Sequence, residues 1–405
     1  MRRSLPLALV LASAHTIAAG SDDVDALKSE LDQLKALVMK LEQRLADVEG
    51  QTIPVEDLTA LTKLNPVAVK SAQESRVTLA SDFRLRYESI EKQGSDRRER
   101  ERLRARASLT YKGDDFTGVF ALASGGDSPT STNQTLGGGG TSKALQLDMA
   151  YVIYPLNDQV NVLAGKMKNP LHRPGKYGLV WDSDYRPEGV FLTTETGDFE
   201  LTAGSFWLES DSKNGNERAV YALQGMYKAQ VGDTKLNLGL GYFEANLSGD
   251  KAFWSGDTIK LGNYQDCSNG SCVFTNDYHV IEAFAEANFT SSVNGFAHWI
   301  ENTEANSDNT GYVLGLNIGK AKNAGDWAFQ AAWQNLENEA TVALLTDSDF
   351  AGGGTGGEGS QLTLSYKASS SLAINLLYSD TERTTYIDPN PLDYKRLVLD
   401  FSMKY

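Results

Sequence analysis

The sequence predicts an all-β fold: a sixteen-stranded antiparallel transmembrane β-barrel preceded by a short coiled coil. Three observations predict it. After residue 76, apolar and polar side chains alternate with a period of two in about sixteen segments. Several of these runs exceed the roughly five or six residues of a soluble strand and approach the roughly 9–11 of a tilted membrane-spanning strand. Short turns alternate with long polar connections, the asymmetry of a barrel whose two rims face different compartments.

In chain order, residues 1–20 read "MRRSLPLALVLASAHTIAAG". Two arginines precede an apolar stretch from Leu5 to Ala14, and small residues follow, the layout of a secretory signal peptide cleaved near residues 18–20. Residues 21–50 carry apolar side chains at Val24, Leu27, Leu31, Leu34, Val38, Leu41, Leu45 and Val48. Steps of three and four predict a coiled-coil oligomerisation seam. So short a helix needs a partner to be stable. Leu37 widens the seam and favours three strands over two. Pro54 and Pro66 interrupt any further helix, so residues 51–75 are expected to be a linker.

Residues 76–405 form the expected barrel. "VTLASDFRLRYE" puts Val77, Leu79, Phe83, Leu85 and Tyr87 on one face, and Asp82, Arg84, Arg86 and Glu88 on the other. "RLRARASLTYK" sets Leu103, Ala105, Ala107, Leu109 and Tyr111 against Arg104, Arg106, Ser108, Thr110 and Lys112. Candidate strands are 77–88, 102–112, 116–124, 143–154, 160–167, 189–196, 199–208 and 219–229, then 235–244, 278–289, 293–302, 311–320, 327–336, 361–368, 372–380 and 394–405. The last of them, "YKRLVLDFSMKY", must pair with the first strand near residue 77 to close the sheet, because lipid cannot satisfy an open edge. Tyr111, Phe116, Tyr154, Phe199, Tyr227, Phe289, Trp327, Tyr366 and Tyr405 fall near the short-turn rim, as an interfacial girdle would. A soluble sandwich or propeller accounts for alternation, but not for strand length, loop asymmetry and leader together.

Composition bounds the function. Mean hydropathy is −0.36, polar on average as an alternating barrel is. The formal charge of −15 argues against a general nucleic-acid binder. Four histidines, one of them in the leader, leave little for a His-based metal centre or triad, and no cofactor is implied. The only mature ones, His172, His279 and His298, sit in no nucleophile motif, so no enzyme is expected; a barrel hydrolase is the alternative class. Cys267 and Cys272, in "DCSNGSC", are expected to pair in an oxidising compartment. The glycine-rich stretches "GGGG" (137–140) and "AGGGTGGEGS" lack the context of a phosphate loop and are expected to be flexible outer loops. "TDSDF" offers at most a weak calcium site, because no full ligand loop surrounds it.

Arg84, Arg86, Arg104 and Arg106 share one face and would enter the lumen together as a basic wall. The long connection "KNPLHRPGKYGLVWDSDYRPEG" mixes Lys168, His172, Arg173, Lys176 and Arg186 with Asp182, Asp184 and Glu188. Here "GKMKNP" (165–170) and "LVWDSDYRPEGV" (179–190) resemble the putative-porin family of proteobacteria, and the whole layout resembles the trimeric porins of Gram-negative outer membranes. The resemblance implies that residues 168–188 fold into the barrel as a constriction, with Asp182, Asp184 and Glu188 facing the arginine wall. It also implies a homotrimer in outer-membrane lipid and lipopolysaccharide, with Phe401 and Tyr405 in the terminal signal read by the assembly machinery. The coiled coil resembles the periplasmic extension of phosphate-selective porins. The resulting expectation is a channel for passive diffusion of small hydrophilic solutes or ions, with weak anion preference, or alternatively one specific for phosphate-like anions.

Overall fold

The computed structural model describes residues 76–405, apart from 212, 214, 216, 252–260, 271 and 385–389. The expected leader, coiled-coil seam and linker lie outside the described residues. The strands are β1 (Val77–Lys92), β2 (Arg98–Lys112), β3 (Thr117–Ser124), β4 (Gln134–Thr135), β5 (Leu145–Pro155), β6 (Val160–Lys166), β7 (Glu188–Thr196), β8 (Phe199–Glu209), β9 (Arg218–Val231) and β10 (Thr234–Ala245). They continue with β11 (Gln265–Asp266), β12 (Val273–Phe274), β13 (Tyr278–Asn288), β14 (Val293–Asn302), β15 (Thr310–Gly319), β16 (Trp327–Leu336), β17 (Gly357–Lys367), β18 (Leu372–Arg383) and β19 (Leu392–Lys404).

Apart from the two-residue β4, β11 and β12, sixteen strands form one closed antiparallel barrel, each beside its neighbour in sequence. The seam pairs β1 with β19 from Asp82↔Lys404 to Lys92↔Tyr394. Beyond it, Ser81 and Tyr405 exchange backbone hydrogen bonds of 2.9 and 3.0 Å. All sixteen expected strands are present. The first hairpin is longer than its alternating core suggested, because β1 and β2 stay paired up to Ile90↔Arg98. Polar residues there keep the ladder but mask the period.

The apolar set points out. Leu79, Phe83, Leu85, Leu201, Leu240 and Leu314 are exposed, as lipid-facing residues of a barrel are. At the short-turn rim the expected aromatics meet in pairs, Phe199 with Tyr227 at 4.7 Å and Trp327 with Tyr366 at 4.4 Å. A second band near the opposite rim, unnoticed in the sequence, contains Trp207, Tyr221, Tyr242, Trp299 and Trp333, all exposed. Aromatic bands at both interfaces anchor a barrel at its depth.

The interior is two-sided. Inward residues of β7 to β16, including Phe191, Phe206, Phe243, Tyr278, Phe296 and Ile300, join one buried apolar cluster. Trp181, Leu179, Leu345 and Phe350 belong to the same cluster but come from connections. The facing wall, on β1, β2 and β19, carries buried charge instead: Arg86, Glu88, Arg104, Arg396 and Asp400.

Candidate functional site

Two connections turn into the barrel. The first starts where β6 stops at Lys166, and Met167 is fully buried at once. It crosses towards β13–β15. The His172 N–H donates to Gln224 Oε1 at 2.6 Å, and His172 Nε2 lies 3.0 Å from Glu286 Oε2. The Gly175 N–H donates to Glu286 Oε1 at 2.7 Å. Gly175 has φ +60°, and a Cβ there would overlap the Phe296 ring, so the close approach needs glycine. Trp181 then packs against Phe243 at 4.9 Å and Phe206 at 6.0 Å. The sequence places an apolar "YGLVW" in the middle of this polar connection, and that segment is what the lumen buries.

The second connection, residues 337–356, packs against the first. The Asp182 N–H donates to the Leu345 carbonyl at 2.7 Å, and the Asp347 N–H to the Gly178 carbonyl at 3.1 Å. The segment following β10 clamps it. Asn263 Nδ2 donates to the Asn338 and Thr341 carbonyls at 2.7 and 2.9 Å, and Asn263 Oδ1 accepts from the Ala343 N–H at 2.8 Å. The expected flexible outer loop "AGGGTGGEGS" is therefore corrected. Ala351, Gly353, Thr355, Gly356 and Gly357 are all buried, and the Thr355 N–H donates to the Leu261 carbonyl at 2.8 Å. Glycine serves here because neighbouring backbone approaches too closely for a side chain, as at Gly354 against Leu261.

The wall these segments face is an arginine array. Cross-strand register sets Asp82 opposite Arg106, Arg84 opposite Arg104, Arg86 opposite Arg102 and Glu88 opposite Arg100. Arg104 grips Asp82 through Nε at 2.8 Å and Nη2 at 2.7 Å, and Arg106 Nε reaches the same carboxylate at 3.2 Å. Arg86 holds Asp400 with two parallel bonds of 2.7 and 2.8 Å. Its third nitrogen donates to Asp349 at 2.8 Å, and Arg396 reaches Asp349 at 2.9 Å. Glu88 pairs with both Arg100 and Arg396. Among the described residues, eight guanidiniums (Arg84, Arg86, Arg100, Arg102, Arg104, Arg106, Arg186, Arg396) thus share the array with six carboxylates (Asp82, Glu88, Asp148, Asp184, Asp349, Asp400).

The residues expected from the sequence are distributed unevenly. Asp184 joins the array, 3.0 Å from Arg106 and 3.9 Å from Arg104. Burial alone would raise its pKa, but the guanidiniums of Arg104, Arg106 and Arg186 outweigh burial and hold it below the usual carboxylate range. Asp182 faces backbone instead, accepting from the Asp184 N–H at 2.6 Å and the Ser348 N–H at 2.9 Å. Burial, then the charges of Asp347 and Asp184, push Asp182 well above that range. Arg186 lies 3.5 Å from Asp148 and donates to the Ser183 carbonyl at 2.9 Å. Lys168 is exposed on the inward segment, and burial lowers the pKa of Arg173.

Glu188 is a correction. It shares the parity of the exposed Val190 and Leu192, faces outward, and pairs with Lys166 at 2.7 Å. β7 begins at Glu188, so the two-residue alternation already governs it and turns it away from the arginines. The sequence reading also missed Asp349 as the carboxylate that bridges two arginines. Burial again opposes its ionisation, and Arg396 and Arg86 overcome it, holding it well below the usual range. Its neighbour Asp347 goes the other way: burial, then the charge of Asp349, pushes it up to about 6. Only the acidic cluster "TDSDF" signalled this site. Cys267 and Cys272 are disulfide-bonded.

Cavities of ≈ 640 and ≈ 460 Å³ flank the first inward segment, both bordered by His172, Arg173 and Lys176. A closed membrane-type barrel with a charged inner wall and inward segments defines a transmembrane channel of the outer membrane. The chain belongs to the family described as "Putative porin", which it matches over residues 48–251 and 262–405. The protein is therefore an outer-membrane channel for passive diffusion. Its fold is similar to that of OprB from Pseudomonas putida, with a TM-score of 0.55 at 13% identity over 81% of this chain and 94% of that one. A variant of the Rh. blastica porin aligns with a TM-score of 0.48 at 10% identity, covering 81% of this chain and 100% of that one. No curated protein matches by sequence.

Proposed function

We propose that the channel is narrowest at the level where the two inward segments meet the arginine wall, that solutes pass beside those contacts, and that it admits small hydrophilic solutes with a weak preference for anions. The observation that carries the preference is the excess of inward guanidiniums over carboxylates on β1, β2 and β19. The formal charge of −15 does not decide it. A passing ion feels charges within about a Debye length, roughly 8 Å at physiological salt. The inward segments meet the wall through direct ion pairs at Asp184 and Asp349, so the guanidiniums in excess of those pairs bias the ions that pass beside them.

The test is planar-bilayer recording of the purified protein under a salt gradient. The expected result is stepwise conductance with a reversal potential on the anion side, moved towards cations by Arg84→Gln with Arg104→Gln. A cation-side potential that those changes leave in place would reject the preference.

The proposed assembly is a homotrimer in lipid and lipopolysaccharide, with residues 21–50 contributing a periplasmic seam. Chemical crosslinking of the full chain should trap three subunits, and deletion of residues 21–50 should weaken the trimer. An unchanged trimer would show that the barrel alone holds it.

A further inference from the structure

Within the arginine array, four guanidiniums occupy a square: Arg84 opposite Arg104, and Arg86 opposite Arg102. The two diagonals differ. Arg86 and Arg104 are saturated by Asp400, Asp349 and Asp82. Arg84 stands 3.7 Å from an Asp400 oxygen that Arg86 already holds, and its one short bond, 2.6 Å, is to the neutral Asn133 Oδ1. Arg102 makes only long contacts, 3.4 Å to Ser131 Oγ and 3.3 Å to the Asn133 carbonyl. The Nε atoms of both Arg84 and Arg102 are buried and lack a hydrogen-bond partner.

Arg84 thus shares one distant carboxylate with Arg86, and Arg102 makes no ion pair among the described residues; a guanidinium so poorly paired is costly to bury, and its planar fork fits an oxyanion with two oxygens. We propose that Arg84 and Arg102, with Asn133 and Ser131 from the connection between β3 and β5, form a subsite for the oxyanion group of a passing solute, a carboxylate or a phosphate. This rests on the channel reading and names its solute class. Arg86 and Arg104 are not free to serve, because their carboxylates are supplied by the protein itself. The subsite therefore lies beside the fixed ion pairs, and the connection 125–143 supplies neutral groups that position the two forks without neutralising them.

The experiment records single channels in bilayers while acetate, succinate or inorganic phosphate is added, with a neutral sugar as the comparison. The expected result is a concentration-dependent block or current noise from the oxyanions and not from the sugar. Acetate and succinate against phosphate separate the two sources of the group. Arg84→Gln with Arg102→Gln should reduce apparent affinity about tenfold or more, the scale of one lost charge-assisted hydrogen bond. Arg84→Lys with Arg102→Lys should keep the charge yet still weaken the block, since the fork is gone; it also serves if the Gln pair fails to fold. Stepwise conductance with no oxyanion effect in the unaltered protein, or an effect that the Gln and Lys variants leave intact, would overturn the subsite. Absence of stepwise conductance would overturn the channel reading itself.

Discussion

Arg86 and Asp400 face each other across the seam between the first strand and the last, joined by parallel hydrogen bonds of 2.7 and 2.8 Å. The pair does two things. It adds a side-chain lock to the ladder that closes the barrel, and it supplies the arm from which Arg86 also reaches Asp349.

Asp400→Asn should weaken the seam. Breaking a buried pair by removing one partner costs about 3–5 kcal/mol. Water in the lumen reduces that, so a loss of about 1–3 kcal/mol is expected. Urea unfolding in detergent, followed by the heat-dependent gel shift of the barrel, measures it. Unchanged stability would mean the backbone ladder alone holds the closure.

Asp349→Asn should release the second inward segment from Arg86 and Arg396. The lumen wall then gains net positive charge, and the segment loses its anchor to β1 and β19. Single-channel conductance should rise and the reversal potential should move further to the anion side. If neither changes, residues 337–356 do not bound the ion path.

Gly354 tests the same segment through the backbone. Its φ is +84°, and a Cβ would overlap the Leu261 carbonyl oxygen. Gly354→Val should unseat residues 337–356 from the Asn263 clamp, at a cost of about 1–3 kcal/mol for the strained backbone. Limited proteolysis should then cut that segment while the barrel stays intact. Equal protease resistance would contradict the packing described.

The pH response has opposite signs at neighbouring carboxyls. Asp347, raised to about 6, binds its proton more tightly folded than unfolded. Its contribution therefore favours the packed state below the unfolded carboxylate pKa of about 4 and is lost as pH rises through about 6. Asp184 and Asp349 are depressed, so their stabilisation is present at pH 7 and lost only as pH falls below the ordinary carboxylate range. Between pH 7 and pH 5 the channel should become more anion-selective without losing its inward segments. Asp182→Asn with Asp347→Asn should remove that shift; its persistence would place the titrating group elsewhere.

The sequence by itself determined the barrel. Alternation in strands such as Val77–Lys92 and Leu392–Lys404 fixes which face meets lipid, because a strand has a side-chain period of two and the membrane rewards only one face. The same parity put Arg84, Arg86, Arg104 and Arg106 inside together, and it would have put Glu188 outside had the strand start been known. What only the tertiary structure decided is which charges meet. Asp349 lies 263 residues from Arg86 in the chain, yet it bridges Arg86 and Arg396. No local pattern encodes that contact. It depends on two long connections burying their own Trp181, Leu345 and Phe350 against the inward apolar residues of the barrel, and on an asparagine clamp that fixes the second of them.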